Sequence, residues 1–311
     1  MVANERMHAA GNRSIVALST RAFAKINLTL RVTGRRPDGY HDVRTVLQSL
    51  ALHDTLRFRR IRGPFAIACD DPHCPTDRSN LVWQAATRVW RAGGRRGVPR
   101  GVLVSIEKRI PLQAGLGGGS SDAAAAIRAL NRLWRLNLPA DAQRAIAATV
   151  GADVPFFLEG GTALGVDRGD ALFSMLDVAA TWVTLVVPPF GVSTKDAYGW
   201  WDQAKRGRAP SSVQPLFAGS HPLSLSTSEL RNDLEGPVSA RHPEISRIVR
   251  AMGRAGASYA AMSGSGSAVF GLFDSRVAAA AAGDALRSPS RRTVVTQTID
   301  RRRHEAMARP Q

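Results

Sequence analysis

The sequence predicts a two-layer α+β protein, and three observations carry that expectation. Strand-like and helix-like segments interleave without the regular β-α-β alternation of a doubly wound fold. An apolar strand runs through Pro111 into a glycine-rich loop that opens an alanine-rich helix, and a second glycine turn, Ser263-Gly264-Ser265-Gly266, lies between two short apolar strands. With 311 residues, 44% of them hydrophobic, the chain is long enough for about two domains. The expected division is a polar leader over 1–20, an N-terminal domain over 21–176, a C-terminal domain over 177–300 and a solvated basic tail over 301–311.

In the first half, alternating apolar residues predict a strand over 23–32 and a strand region over 46–58 broken at His53-Asp54. Residues 80–91 have helical spacing through Leu81, Ala85, Ala86 and Val89; 102–106 reads as the strand that feeds the glycine loop. An amphipathic helix over 141–150 stops at Gly151, and a short strand over 162–166 follows the Gly160-Gly161 turn. In the second half a β-branched strand over 182–187 ends at Pro188-Pro189, and 205–228, rich in Pro, Ser and Gly, reads as a mobile connection. A helix over 245–252, strands over 257–262 and 268–273, and a helix over 278–286 complete the pattern.

The segment with the most chemical content is Gly115-Leu116-Gly117-Gly118-Gly119-Ser120-Ser121-Asp122. Glycines let backbone N–H groups approach a polyanion without Cβ obstruction, and a helix starting near Ser121 adds its free N–H groups and positive dipole end. Ser120, Ser121 and Asp122 are suitable N-caps, and Ala123, Ile127, Leu130 and Trp134 form one buried stripe. Glycines alone fit a plain turn before a capped helix equally well. A dinucleotide fingerprint is excluded because Ser120 stands where glycine is required, and a P-loop is excluded by the missing Gly-Lys-Ser/Thr ending.

A net charge of +17 raises the possibility of nucleic-acid binding, yet lysine occurs only at Lys25, Lys108, Lys195 and Lys205, and the arginine clusters lie far apart along the chain. Such a pattern fits a compositional bias better than a binding stripe, while still steering anionic ligands to the surface. Cys69 and Cys74, beside Asp70, Asp71 and His73, read as unpaired surface thiols rather than a metal site. No apolar run approaches the ~18 residues of a membrane span, and 1–20 lacks the layout of a signal peptide, so the expected location is the cytoplasm.

Five motifs occur in one order: Ala24-Lys25-Ile26-Asn27-Leu28, Asp38-Gly39-Tyr40-His41, the loop from Pro111 onward, Gly151-Ala152-Asp153-Val154-Pro155, and Ser263-Gly264-Ser265-Gly266. On these the chain resembles the GHMP kinases and, within them, the 4-diphosphocytidyl-2-C-methyl-D-erythritol kinases, over roughly 21–300. The resemblance implies a ribosomal protein S5 domain 2-like N-terminal domain with a left-handed crossover, and a ferredoxin-like C-terminal domain. It also implies ATP-dependent phosphorylation of the substrate's 2-hydroxyl, with Mg2+ accompanying the nucleotide and no nucleic-acid or membrane partner; oligomeric state stays open. Rival readings are a homoserine- or mevalonate-type kinase, which Asp38-Gly39-Tyr40-His41 argues against, and a non-catalytic nucleic-acid-binding protein, which intact Lys25 and Asp153 argue against.

By the same resemblance Asp153 is the catalytic base and Lys25 its catalytic partner, Asn27 orients the substrate hydroxyl, Tyr40 stacks on the cytosine and His41 hydrogen-bonds it. Asn80 and Lys108 line the adenosine side, and Pro111, Leu112, Gln113, Ala114, Gly115, Leu116, Gly117, Gly118, Gly119, Ser120 and Ser121 take the ATP. Gly264, Ser265 and Gly266 turn near the active site; Asn232-Asp233 matches an element of the family without a derivable role. Taken singly, Asp153 reads as a turn aspartate and Tyr40-His41 as an exposed hairpin tip. A lysine in mid-strand needs a strand edge or a carboxylate partner, because an unpaired buried ammonium is costly, and a Lys25–Asp153 contact would satisfy both groups. Asn27, two residues on, shares its strand face. Phe23 stands where proline usually precedes the first motif, and no carboxylate cluster identifies metal ligands.

Overall fold

Two long strands, β1 (Val16–Arg35) and β2 (His41–Pro64), form an antiparallel hairpin that is the spine of the molecule. The computed structural model describes residues 16–205 and 230–311; the rest of the expected 205–228 connection, and the leader before β1, lie outside the described residues. The break expected at His53-Asp54 is a register shift rather than an end of the strand: β2 runs on, with Phe23 paired with His53 and Ala22 with Asp54, and the ladder shifts between the Phe23–His53 and Lys25–Ser49 pairs. Asp54 looks like a breaker in sequence because it is polar. In the fold its fully buried carboxylate accepts the N–H groups of Arg109 and Ile110 and the Lys108 ammonium.

After β3 (Ala66–Cys69) and α1 (Leu81–Ala92), β4 (Arg100–Glu107) pairs parallel to β3 and antiparallel to the outer half of β2. Helices α2 (Gly118–Leu133), α3 (Ala140–Val150) and α4 (Val154–Glu159) follow, then β5 (Thr162–Val166) and β6 (Ala171–Ser174). The resulting sheet runs β3-β4-β2-β5-β6, with β1 paired along β2. As the stripe predicts, Ala123, Ile127 and Leu130 of α2 are fully buried and Trp134 nearly so.

The second sheet is antiparallel throughout. It is built from β7 (Trp182–Val187), β8 (Tyr259–Met262), β9 (Val269–Phe273) and β10 (Arg292–Gln297), in the order β10-β7-β9-β8. Helices α5 (Thr194–Lys205), α6 (Glu235–Arg241) and α7 (Glu244–Arg254) precede β8, and α8 (Arg276–Ala285) lies between β9 and β10. Ala24, Ile26, Val46 and Leu50 of the spine share one apolar core with Val183, Leu185 and Phe270 of the second sheet. That seam buries one face of β1 and leaves the alternate residues Lys25 and Asn27 on the other.

The tail departs from expectation. Residues 301–311 are not a solvated extension: α9 (Arg301–Ala308) is capped by the Asp300 carboxylate, which accepts the Arg303 N–H, and Gln311 exchanges two backbone hydrogen bonds with Ser19. The arginines suggested solvation, but helical spacing places His304 and Ala308 on one buried face. His304 Nε2 meets the Phe157 carbonyl and its Nδ1 meets Ser49 Oγ. Cys74 is buried rather than at the surface, and both thiols are free.

Candidate active site

Lys25, Ile26 and Asn27 pair in order with Ser49, Gln48 and Leu47, and register shifts interrupt the ladder on both sides of this triplet. Bulges re-aim a strand and release backbone groups from the ladder. Here the Lys25 N–H donates to the Leu116 carbonyl of the glycine loop at 3.0 Å, so the strand and the loop are joined at the lysine's own peptide. The Lys25 side chain is 4% exposed; its ammonium donates to Asn27 Oδ1 at 2.6 Å and stands 3.5 Å from Asp153 Oδ2. Asn27 Nδ2 donates to Thr45 Oγ1, which donates to the Thr29 carbonyl. Asp153 precedes α4, whose first turn carries Pro155, a residue pre-set for that position.

The helix expected to begin near Ser121 begins at Gly118, and its N-cap is Gly117 rather than Ser120, Ser121 or Asp122. Gly117 has φ 73°, and a Cβ there would lie 2.5 Å from the Phe157 ring, so close packing against α4 selects glycine over a capping side chain. Ser121 is the first residue of the helix whose N–H returns to the loop, donating to the Gly117 carbonyl. The preceding N–H groups of Gly118, Gly119 and Ser120 have no acceptor within the helix and border the cleft. Gly115 is equally constrained: a Cβ there would lie 2.2 Å from the Ser263 carbonyl oxygen of the second glycine turn.

These elements enclose a cleft of about 1100 Å³. Lys25, Asn27, Tyr40, His41, Lys108, the loop from Pro111 to Ser120, Asp153, Gly264 and Ser265 all line it; Asn80, Ser121 and Gly266 do not. Asn80 instead caps α1, accepting the Val82 N–H and donating to the Pro75 carbonyl. Ser121 is buried, and Gly266, at φ 91°, closes the turn by donating its N–H to the Ser263 carbonyl. Tyr40 is exposed, but His41 is not exposed with it: the imidazole stacks on Tyr198 at 4.7 Å and its Nε2 meets Asp202 Oδ1 at 2.8 Å.

Lys108 is at the cleft wall with its ammonium turned under α2, donating to Asp54 Oδ2 at 2.5 Å and Asp122 Oδ2 at 2.8 Å. Burial works against its charge, yet the two carboxylates hold it above the usual lysine range. Burial pushes the Asp122 carboxyl up to about 7, with the Lys108 charge opposing and the Asp54 charge adding. A Cβ on Gly118 would lie 3.3 Å from this ammonium, so the cluster sits directly beneath the first turn of the helix.

Two family descriptions match the chain, GHMP kinases N terminal domain over residues 80–161 and GHMP kinases C terminal over residues 222–291. A 4-diphosphocytidyl-2-C-methyl-D-erythritol kinase of Pelotomaculum thermopropionicum is 38% identical over 92% of this chain and 100% of its own. The chain belongs to the GHMP kinase family. A kinase of the same name from Brevibacillus brevis is 42% identical over 82% of this chain and 87% of its own. A crystal structure of 4-(cytidine 5'-diphospho)-2C-methyl-D-erythritol kinase aligns with TM-score 0.72 at 33% identity, covering 90% of this chain and 98% of the other. Homoserine kinase from Cytophaga hutchinsonii, at 22% identity and TM-score 0.66, shares the fold.

Within this GHMP kinase, several residues that shape the cleft were not legible in the sequence. Tyr198, Trp201 and Asp202 reach His41 from one face of α5, at i, i+3 and i+4. The run Asp196-Ala197-Tyr198-Gly199-Trp200-Trp201-Asp202 carried that signal, but glycine and the aromatics weaken a helix reading. Arg168, 5.3 Å over the Tyr40 ring, comes from the β5–β6 turn and had no local signal.

Proposed function

We propose that the chain is an ATP-dependent kinase acting on the 2-hydroxyl of 4-diphosphocytidyl-2-C-methyl-D-erythritol, yielding the 2-phosphate and ADP. The observation that carries the reading is the convergence of Lys25 and Asp153, 3.5 Å apart, on a cleft that also holds the open N-terminus of α2 and the Tyr40–His41–Tyr198 aromatic group. Asp153, with its side chain 39% exposed, faces the cleft and accepts the proton of the attacking hydroxyl. Lys25 sets positive charge where the phosphoryl group transfers, and the Gly118, Gly119 and Ser120 N–H groups hold the nucleotide's phosphates. Mg2+ brought with the nucleotide would neutralise β- and γ-oxygens. Tyr40 and Tyr198 offer ring faces to the cytosine, with His41 beside them.

A coupled assay of ADP release with the diphosphocytidyl alcohol, homoserine and mevalonate tests this. Turnover confined to the first supports it; turnover of homoserine or mevalonate without it overturns the substrate. Tyr40→Ala should raise the alcohol's KM more than it lowers kcat, and the reverse pattern would remove Tyr40 from the base pocket.

A further inference from the structure

The segment Asn232-Asp233-Leu234-Glu235 has no part in the chemistry described so far, yet its hydrogen bonds are committed to the second glycine turn. Asn232 is buried and uses its whole amide: Nδ2 donates to the Met262 carbonyl at 2.8 Å and the Gly264 carbonyl at 2.7 Å, and Oδ1 accepts the Leu234 N–H at 2.9 Å. Two carbonyl partners can be met only by the NH2 end. Glu235 Oε2 accepts the Met262 N–H, so the last residue of β8 is gripped at both its backbone groups. The same segment is bound to the catalytic strand. Leu30 N–H donates to the Arg231 carbonyl, Asp233 N–H donates to the Leu30 carbonyl, and Asp233 Oδ2 accepts the Val32 N–H.

The turn held in this way touches Lys25, Asn27 and the glycine loop at Gly115. A Cβ on Gly264 would lie 3.2 Å from Asn27 Oδ1 and 3.3 Å from Lys25 Nζ, so the backbone of this residue closes directly on the lysine–asparagine pair. Ser263 Oγ accepts the Asn27 N–H at 3.3 Å and donates to the Gly115 carbonyl of the phosphate loop at 3.0 Å. Loss of Asn232's two donors would leave two buried carbonyls facing no partner beside the lysine, and the turn would move to find others.

We propose that Asn232 is a positioning residue for phosphoryl transfer, acting through Ser263 and Gly264 to fix Lys25 and Asn27 against the phosphate loop. This rests on the kinase reading of the site. Displacing a reacting group by about 1 Å costs on the order of 10²-fold in rate, whereas binding spread over a whole nucleotide is little affected. Asn232→Asp keeps the acceptor for Leu234 and removes both donors.

The test is steady-state ADP release per folded molecule, with folding followed by circular dichroism and nucleotide affinity measured separately with a non-hydrolysable ATP analogue. The expected result for Asn232→Asp is a kcat lowered about 10- to 10²-fold, with nucleotide affinity within about threefold of wild type. Ser263→Ala, which leaves the 231–235 segment untouched, should give the same split. Should Asn232→Asp not fold, Ser263→Ala decides alone. A merely structural role would lower the melting temperature and leave kcat per folded molecule unchanged, and that result in either folded variant overturns the proposal. So does a loss of nucleotide affinity at unchanged kcat. If the wild-type enzyme turns over a different alcohol, the substrate assignment fails while the variant-to-wild-type ratios on that alcohol still judge Asn232.

Discussion

The Lys25 ammonium donates to Asn27 Oδ1 at 2.6 Å and stands 3.5 Å from Asp153 Oδ2, so the amide and not the carboxylate is its nearer partner. Asn27 is itself anchored through Thr45, and this chain fixes the lysine while leaving Asp153 open toward the cleft. Holding charge in place before the reaction is what makes electrostatic stabilisation effective.

Asp153→Ala is therefore expected to lower kcat about 10²–10⁴-fold, the range for a positioned general base. Lys25 keeps its Asn27 partner in that variant, so the KM for ATP should change little. Near-normal turnover in a purified, folded Asp153→Ala protein would remove Asp153 from the chemistry.

Gly117→Ala should abolish most activity although it adds only a methyl group. The position combines φ 73° with a Cβ site 2.5 Å from the Phe157 ring and 3.2 Å from Lys25 Cγ, so relief must come from shifting the loop, α4 or the lysine. Gly119→Ala, whose Cβ would meet nothing closer than Leu81 at 3.8 Å, is the matched control and should fold normally. Equal melting temperatures and equal activity in the two variants would contradict this account.

Asp122 gives stability a pH dependence of definite sign. Its carboxyl is pushed from 3.8 up to about 7, chiefly by burial, so over that interval the native state binds a proton that the unfolded chain has released. Its contribution is complete below about pH 4 and is lost as pH rises through about 7. Asp122→Asn cannot ionise and still offers an oxygen to Lys108. Between about pH 5 and about pH 8 its urea midpoint should fall less, or rise more, than that of wild type. Parallel profiles for the two proteins would show that Asp122 stays ionised throughout.

Truncation after Asp300 should lower the melting temperature markedly. It removes the His304 bonds to Phe157 and Ser49, the Gln311–Ser19 backbone pair, and the cover over Phe23, which is fully buried with α9 in place. Exposing that side chain alone forfeits about 1.5–3 kcal/mol. An unchanged thermal transition in the truncated protein would mean that α9 does not hold the back of the sheet.

The glycine loop and the α2 stripe were readable in the sequence because each rests on local chemistry, φ above zero and helical spacing, whereas Lys25 and Asp153 were singled out by resemblance to the family, Asp153 by itself reading as a turn aspartate. The start of α2 was not readable, since Gly117 is chosen by the Phe157 ring of the neighbouring α4 rather than by its own propensity. Asn80 misled for a related reason. Its side chain serves the nearby α1 cap and Pro75, so its sequence position relative to the loop says little about whether it reaches the cleft.

By itself the sequence determined the α+β character, the family motifs and the glycine-rich loop that opens α2. Only the tertiary structure decided that His41 turns inward to Tyr198 and Asp202, that Lys108 is held beneath α2 by two carboxylates, that 301–311 is a docked helix, and that Asn232 braces the second glycine turn. The physical reason is separation along the chain: His41 and Asp202 are 161 positions apart, and Ser49 and His304 are 255 apart. Local propensity and periodicity describe a residue's own element, whereas the partner that satisfies a buried polar group is set by how the elements pack.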